Sequence, residues 1–420
     1  MDKQASFIKY SDIAEFRNGL NFSKDSHGKG CLLIGVADFK DNFGPQWSEL
    51  EEINPLGIAK EDDYLQKGDI IFVRSNGNKA LVGRSLYIDR DTPSLYSGFC
   101  IRARTISKKI DPLFIAYFTK TDFFKSSISS AAGTNINNLN QGILGEVKIP
   151  NYSKSVQDSI LAVLSAIDKK IEINNRINAE LEAMAKTLYD YWFVQFDFPD
   201  ANGKPYKTSG GKMVYNLTLK REIPAGWSDK TLSQIANITM GQSPEGSSYN
   251  EEGVGTIFYQ GSTDFGWLFP NTRKYTTAPS RMAKKGDILL SVRAPVGDMN
   301  IAYTDCCIGR GLAALNSKTG SDGFLFYVMK YFNQIFDRRN SEGTTFGSIT
   351  KNDLHSLKLA YPSVDLLKKY DDIVTNYNKM IFERSLENRE LVNLRDWLLP
   401  MLMNGQVTGI SSTQPKTAEA

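Results

Sequence analysis

The chain has 420 residues, a formal net charge of +3 and a hydrophobic fraction of 41%, the values of an ordinary soluble protein with room for two or three domains. No apolar run reaches the length needed to cross a membrane, and the first residues lack a signal-peptide core. We therefore expect a cytoplasmic protein with no membrane partner. Four cysteines without a CxxC pair and only two histidines predict neither a disulfide framework nor a metal site.

The most informative feature along the chain is an internal repeat with a period of about half its length. Three phrases recur in the same order: YSDIAEFRNG (10–19) as LSQIANITMG (232–241), KGDIIFVR (67–74) as KGDILLSVR (285–293), and GTNINNLNQGILGEVKIP (133–150) as GTTFGSITKNDLHSLKLAYP (343–362). A repeat of this length indicates a duplicated domain rather than a solenoid unit. The interval between matching positions falls from 222 at Gly19 and Gly241 to 210 at Gly133 and Gly343, so the two copies share a frame and differ in their loops.

Each globular copy has the pattern of a mixed α/β domain. In chain order, DIIFVR and SLYIDR predict strands in the first copy, and DILLSVR and MNIAYT predict strands in the second. One amphipathic helix is predicted over Asp111–Ala131 and a matching one over Asp322–Asn340, and the aspartate of the first is expected to cap its helix.

A long helical pattern follows each copy, with apolar residues spaced alternately by three and four. The predicted seam consists of Ile160, Leu164, Ile167, Ile171, Asn174, Asn178, Leu181 and Leu188 in the first helix, and of Tyr370, Ile373, Tyr377, Ile381, Asn388, Leu391 and Leu398 in the second. Asparagines in such a seam fix its register, so the two helices are predicted to pair with each other. The alternative is that each helix packs on its own domain.

These patterns divide the chain into five segments. They are a first domain (1–150), a first spacer helix with a turn-rich connector (151–200), a second domain (201–362), a second spacer helix (363–408) and a disordered tail (409–420). The two domains carry net positive charge and the two spacers net negative charge. This split is expected if the domains touch phosphate and the helices touch protein, although noise on solvated surfaces is the alternative.

No motif for catalysis occurs in the chain, since Walker A, nucleophile-elbow, HExxH and dinucleotide sequences are all missing. What the loops offer is side chains suited to DNA, because arginine, asparagine and glutamine pair with base edges and lysine neutralises phosphate. The candidates are Arg74, Asn76, Asn78, Lys79, Arg84, Asn135, Asn137 and Asn138 in the first copy, and Gln242, Ser243, Tyr259, Gln260, Ser262, Thr263, Arg293, Arg310, Thr345 and Ser348 in the second. For any single residue, turn formation or helix capping is the competing interpretation.

Several longer runs match a known family. They are FDFPDANGKPYKTSGGKMVYN and REIPAGW after the first helix, GQSPEGSSYNEEG and LLSVRAPVGDMNIAYTDCCIGRGLAAL in the second domain, and LRDWLLPMLMNGQV near the end. On these runs, and on the order domain, helix, domain, helix over nearly its whole length, the chain resembles the specificity subunits of type I restriction–modification systems.

The resemblance implies a non-catalytic protein in which each domain binds one half of a bipartite target in double-stranded DNA. It also implies that the spacers form an antiparallel coiled coil, related by a pseudo-two-fold axis, that sets the gap. Two modification (methyltransferase) subunits and the motor-nuclease restriction subunits are the implied partners, with S-adenosylmethionine, ATP and magnesium in those partners and no cofactor in this chain. Two alternatives stay open: a specificity subunit of another restriction–modification type, and a two-headed protein scaffold without a DNA role.

Overall fold

A computed structural model describes residues 6–22, 26–40, 42–132, 138–341 and 348–405. The chain divides into two compact units: unit 1 comprises Met1–Asn174 and Leu386–Ala420, and unit 2 comprises Asn175–Ser385. The predicted tail over 409–420 lies outside the described residues. None of the described helices is both long and apolar enough to cross a membrane.

The structure gives the following bounds for the regular elements. The strands are β1 Phe7–Lys9, β2 Ala14–Asn18, β3 His27–Ile34, β4 Glu51–Ile53, β5 Ile70–Val73, β6 Ser85–Tyr87, β7 Ser94–Tyr96, β8 Cys100–Thr105, β9 Lys148–Pro150, β10 Met213–Asn216, β11 Arg221–Pro224, β12 Ser228–Thr231, β13 Ala236–Met240, β14 Tyr249–Asn250, β15 Thr256–Tyr259, β16 Lys274–Thr276, β17 Met282–Ala283, β18 Ile288–Ser291, β19 Met299–Ile301, β20 Cys306–Ile308, β21 Leu312–Ser317 and β22 Lys358–Tyr361. The helices are α1 Pro112–Phe118, α2 Asp122–Ala132, α3 Gln141–Glu146, α4 Lys154–Tyr189, α5 Leu232–Ile235, α6 Asp322–Ser341, α7 Lys351–Ser356 and α8 Val364–Met403. The predicted mixed α/β class is confirmed.

The two domains build their main sheets in the same strand order. In unit 1 an antiparallel sheet has the order β2-β8-β5-β6, and in unit 2 the order is β13-β21-β18-β19. A second sheet in each domain contains one parallel pair, β3 with β7 in unit 1 and β15 with β20 in unit 2. The strands predicted from the repeated KGD phrases are β5 and β18, which lie at the same place in this order.

One element departs from its sequence-based prediction. The single helix predicted over Asp111–Ala131 is two helices, α1 and α2, with a break between them. The Thr121 hydroxyl causes the break, because it donates to the Phe118 carbonyl (2.7 Å) and accepts from the Phe124 amide (3.2 Å), which turns the chain and starts a new helix. Asp111 caps α1 through the Leu113 amide at 2.9 Å, as predicted.

Both long helices contribute to the cores of the units. In unit 1, Ile160 and Leu164 of α4 and Leu399 and Leu402 of α8 are buried in the same apolar cluster as Phe114 of α1. In unit 2, Leu181 and Ala185 of α4 join Tyr370 and Ile381 of α8 around the aromatic residues of α6. Each globular domain is therefore completed by segments of the two helices.

Most of the predicted seam residues lie away from solvent. Buried are Ile160, Leu164, Ile167, Asn174, Asn178, Leu181, Tyr370 and Ile381, and half-buried are Ile171, Leu188, Tyr377, Asn388, Leu391 and Leu398. Ile373 differs, because its side chain is 36% exposed while the neighbouring Val374 is fully buried. The step from Tyr370 to the next inward position is thus four residues rather than three.

The asparagines of the seam bond across to the other helix. In unit 1 the Asn174 amide donates to the Asn388 side-chain oxygen (2.9 Å) and to the Glu387 carboxylate (2.8 Å). In unit 2 the Asn178 amide donates to the Ser385 hydroxyl at 3.3 Å. These bonds satisfy polar groups that would otherwise be buried at a cost.

The connector after α4 is ordered, with aromatic packing and hydrogen bonds inside the segment. Phe198 stacks on Tyr206 and on Trp227, with ring centroids 4.6 and 5.4 Å apart. The Asp197 carboxylate accepts from both the hydroxyl (2.6 Å) and the amide (2.7 Å) of Thr208, and these bonds lower the pKa of Asp197. The β10–β11 hairpin follows directly.

We predict that Asp168 of α4 is a main stabilising contact of unit 1. Its carboxylate accepts from the Tyr117 hydroxyl of α1 (2.6 Å) and from Arg395 of α8 (3.0 Å). Asp168→Ala should lower the free energy of unfolding by about 2 kcal/mol, because it leaves two partly buried donors without their acceptor. Chemical denaturation of the purified chain measures this free energy of unfolding.

The control is Asp158→Ala, which removes an exposed ion pair on the same helix and should change stability by less than about 0.5 kcal/mol. Equal effects of the two variants would contradict the prediction.

Candidate nucleic-acid interface

In the first domain, two loops that are far apart in sequence meet at the end of β5. The Arg74 amide donates to the Phe99 carbonyl and the Leu139 amide donates to the Arg74 carbonyl, each at 2.8 Å. Ser75 and Asn138 form an isolated antiparallel bridge, and the end of the Asn138 side-chain amide lies 3.2 Å from the Arg74 carbonyl oxygen. The predicted candidates Arg74 and Asn138 therefore lie side by side.

The second domain repeats this junction bond for bond. The Val292 amide donates to the Gly311 carbonyl (2.9 Å), the Ile349 amide donates to the Val292 carbonyl (2.8 Å), and Arg293 bridges Ser348. By these bonds Arg293 occupies the place of Ser75, not that of Arg74. The interval of 218 residues between the matching KGD phrases already implies that Arg293 is equivalent to Ser75. Aligning the two strands by their shared Val-Arg ending would instead have matched Arg293 with Arg74.

More second-domain candidates adjoin this junction. The Ser243 hydroxyl accepts from the Arg310 amide (3.4 Å), and the Gln242 amide donates to the Ile308 carbonyl (3.0 Å). A side chain at Gly311 would lie 2.6 Å from the Gln260 carbonyl, so glycine is required for the two loops to approach. The exposed candidates brought together here are Gln242, Gln260, Arg293, Arg310 and Ser348, with Ser243 half-buried among them. They form one polar surface, which we call the second-domain junction.

Other candidates have local roles or lie elsewhere. The Asn76 side chain accepts from the Asn78 amide (2.7 Å) and the Asn78 side chain accepts from the Ala80 amide (3.0 Å), so both oxygens stabilise the turn that carries Lys79. Arg84 donates to the Lys40 carbonyl (2.6 Å) and braces the loop. Tyr259 is fully buried, with its hydroxyl 3.1 Å from that of Thr272. Asn135, Asn137 and Thr345 lie outside the described residues.

The repeated KGD phrase closes a turn just before β5 and just before β18, at the opposite end of each strand from the junction. The Asp69 carboxylate accepts from the Gln66 amide and the Asp287 carboxylate accepts from the Lys284 amide, each at 2.8 Å. The glycine before each aspartate has a positive φ, +96° at Gly68 and about the same at Gly286, where other residues are strained. Both aspartates are buried, so the phrase is a part of the frame rather than a contact surface.

A loop that sequence reasoning treated only in part joins β15 to β16 beside the second-domain junction. It carries the half-buried candidate Ser262 and the exposed candidate Thr263, and it contains the buried Asp264, which accepts a hydrogen bond from Arg273. The first domain has a similar turn, in which the Asp38 carboxylate accepts from the Gly35 amide at 2.7 Å. The match between IGVADF and YQGSTDF in the sequence could have revealed this pair of turns.

The described residues contain no group of three side chains suited to hold a metal ion. All four cysteines are buried as free thiols. Burial raises the pKa of Cys31 to about 11, and that of Cys100 and of Cys306 to about 12, so these thiols stay protonated at neutral pH.

The family model for the type I restriction modification DNA specificity domain matches residues 3–183 and 224–388, so that each match covers most of one domain and part of the helix that follows it. The chain belongs to this family. A Methanocaldococcus jannaschii protein assigned as the MjaX specificity subunit of a type I restriction enzyme is 30% identical over 407 residues, which are 94% of this chain and 92% of that protein. The HindI specificity subunit of Haemophilus influenzae is 23% identical, over 86% of this chain and 90% of its own length.

Among solved structures, the S subunit of a type I restriction–modification system from M. genitalium has the same fold. The TM-score is 0.55 at 16% identity, and the match covers 96% of this chain and 97% of that one. At this identity the likeness concerns the fold alone.

We predict that Gly241 is required for the frame of the second-domain junction. A Cβ atom at Gly241 would lie 2.2 Å from the Gly309 carbonyl oxygen, and one at Gly19 in the first domain would lie 2.2 Å from that of Ser97. Gly241→Ala should therefore lower the free energy of unfolding by about 1–3 kcal/mol, since backbone must move to admit the methyl group. The control is Gly246→Ala, whose Cβ would have no neighbour within 4 Å. The measurement is the thermal unfolding midpoint of both variants. An unchanged midpoint for Gly241→Ala would refute the prediction.

Proposed function

We propose that this chain is the non-catalytic DNA specificity subunit of a type I restriction–modification complex and works in the cytoplasm. The first domain (1–150) and the second domain (201–362) each bind one half of a bipartite target in double-stranded DNA. The spacer helices, within 151–200 and 363–408, set the unspecified gap between the halves. The observation that carries the proposal is the junction built by the same backbone bonds in both domains but with different side chains.

That difference is of the kind needed to read two different sequences. The first-domain junction carries Arg74, Ser75 and Asn138, and the second carries Arg293 and Ser348 at the bridged positions. Arginine and asparagine recognise base edges in the major groove, while serine hydroxyls bond either bases or phosphate. Two domains with the same backbone frame but different side chains at the junction can therefore recognise two different DNA sequences.

The spacers are proposed to form an antiparallel coiled coil that gives the molecule a pseudo-two-fold repeat. Contacts within unit 1 support this arrangement, since Asp168 bonds Arg395, Lys170 bonds Glu387 and Asn174 bonds Asn388, so that positions rise along α4 as they fall along α8. Charged and asparagine pairs at such a seam favour one register over its alternatives.

Two modification subunits are proposed to dock on the spacers. Large apolar side chains remain exposed on the two helices, namely Met184, Ile373, Met380, Leu386, Leu394 and Trp397, with exposures from 36% to 58%. Ile373, Met380 and Leu394 recur at multiples of seven residues and so lie on one side of α8, and exposed apolar residues on one side of a helix are typical of a protein-binding face. S-adenosylmethionine, ATP and magnesium then belong to the modification subunits and to the restriction subunits that complete the complex.

We predict that the spacer length sets the gap. A seven-residue insertion after Arg176 in α4, matched by one after Ser385 in α8, keeps the seam in phase and adds about 10.5 Å. The gap should lengthen by up to about three base pairs, at about 3.4 Å each, while both half-sites stay the same. The measurement is to co-express the chain with the modification subunit of its locus and map modified adenines by single-molecule sequencing. The control is the unaltered chain, and a change in half-site sequence at an unchanged gap would contradict the proposal.

We also predict a steep salt dependence of DNA binding by the subunit in complex with its modification subunits. Binding through several phosphates releases counterions, so the logarithm of the affinity should fall linearly with the logarithm of the salt concentration. For about six contacts the affinity should drop about a thousandfold between 50 and 200 mM salt. Fluorescence anisotropy with a labelled duplex measures this. Absence of measurable binding to the duplex at 50 mM salt would favour a protein scaffold without a DNA role.

A further inference from the structure

The loop between β15 and β16 is held by one ion pair, in which the carboxylate is buried and the guanidinium is partly exposed. Asp264 is only 5% exposed, and its carboxylate accepts from the Arg273 guanidinium through both Nε (3.0 Å) and Nη2 (2.5 Å). The same carboxylate accepts from the Gln260 amide at 2.9 Å, and Arg273 Nη2 also donates to the Thr263 carbonyl at 2.9 Å. Both ends and the middle of the loop are thus tied to a single carboxylate and its partner.

Further bonds fix the remainder of the loop. The Asn271 amide donates to the Asp264 carbonyl at 2.8 Å, and the buried Asn300 side chain exchanges two 3.0 Å hydrogen bonds with the backbone of Gly266. The backbone of this loop has no freedom to reposition Gln260 or Thr263 without breaking one of these contacts.

The outer face of the ion pair is accessible. Gln260 and Thr263 are exposed, the Arg273 side chain is 56% exposed, and the three line a hollow of about 130 Å³ with Glu251 and Lys274. Gln260 also adjoins Gly311 of the second-domain junction. The ion pair therefore lies directly beneath polar side chains that face the proposed DNA-binding side of the second domain.

The matching turn of the first domain is built differently. Asp38 closes it through the Gly35 amide, but the turn carries Val36 and Ala37 where the second domain carries Ser262 and Thr263. In the described part of the first domain no guanidinium bonds Asp38. The ion pair is thus an addition specific to the turn that carries polar side chains, not a requirement of the frame.

We propose that Asp264 and Arg273 are positioning residues for DNA reading by the second domain: they hold Gln260 and Thr263 in the geometry that recognises base edges of one half-site. The inference rests on the proposed function. A side chain fixed before binding loses less entropy on contact and discriminates more sharply between bases than one on a mobile loop. Arg273 donates from two nitrogens to one oxygen of Asp264 and from Nη2 to the Thr263 carbonyl, and the single ammonium nitrogen of lysine does not reproduce this planar arrangement.

The test compares Asp264→Asn, Arg273→Lys and Arg273→Gln in the chain co-expressed with the modification subunit of its locus. Modified adenines are mapped by single-molecule sequencing, and Arg293→Ala marks the half-site that the second domain reads. We expect all three variants to lose base preference at one or more positions of that half-site, by about tenfold in modification frequency. The other half-site and the gap should stay unchanged and provide the internal control. Asp305→Asn, which alters an exposed aspartate bonded to the Lys285 amide, should leave the whole motif unchanged.

Binding measurements separate positioning from a direct phosphate contact or a folding defect. Positioning leaves the salt dependence of the affinity unchanged, whereas loss of a phosphate contact reduces its slope by about one in Arg273→Gln but not in Arg273→Lys. If Arg273→Lys keeps the wild-type motif, or if both half-sites weaken together with the thermal midpoint, the positioning role is overturned. If the proposed function itself is wrong, the unaltered chain will give no bipartite motif. That result would overturn both the proposed function and the positioning role.

Discussion

The structure depends on the burial of the two long helices in the cores of the domains that they support. In unit 1 this contact is polar at its edge, where Asp168 joins Tyr117 of the domain to Arg395 of α8. In unit 2 it is aromatic, with Tyr189 of α4 stacked on Tyr327 of α6 at a centroid distance of 5.9 Å. Because interiors are close-packed, neither domain can shift on its helix segments without opening a cavity or breaking an ion pair. In the proposed function, a helix that sets the gap between half-sites needs this rigidity at its ends.

The seam between the helices is built differently: its buried asparagines cost folding free energy, but they fix the register of α4 against α8. Asn174 bonds Asn388, but the buried Asn178 side-chain oxygen has no partner among the described residues, which costs folding energy. An apolar residue there would pack better but would allow the helices to slide by a turn. In the proposed function such a slide would change the gap between the half-sites, so a defined register is worth more than a few kcal/mol of additional stability.

The sequence was sufficient to predict the repeat, the mixed α/β class, the Asp111 cap and helices at the places of α4 and α8, because these depend on local periodicity and on residues with strong positional preferences. It failed where one side chain decides: the Thr121 hydroxyl divides a helix whose apolar pattern runs on, and Val374 rather than Ile373 faces inward. The Asp264–Arg273 pair could not be predicted, because a carboxylate and a guanidinium nine residues apart meet only once the loop has folded. The equivalence of Ser75 and Arg293 could be predicted from the spacing of the repeat, but not from the residue identities in the two strands.

The two domains show how one frame can take up new specificities. Parts that would break the fold if changed are the same in both, such as the glycines whose Cβ would strike a carbonyl oxygen at 2.2 Å and the aspartates that close the turns before β5 and β18. The exposed side chains differ, and where the second domain places polar residues on a turn it adds the Arg273 fork to hold them. In the proposed function, a new reading surface therefore needs two kinds of change: one in the exposed residues proposed to face DNA, and one in the ion pair proposed to hold them in place. If only the exposed residues were exchanged, the loop would carry the new side chains but would not hold them in the geometry proposed for base recognition.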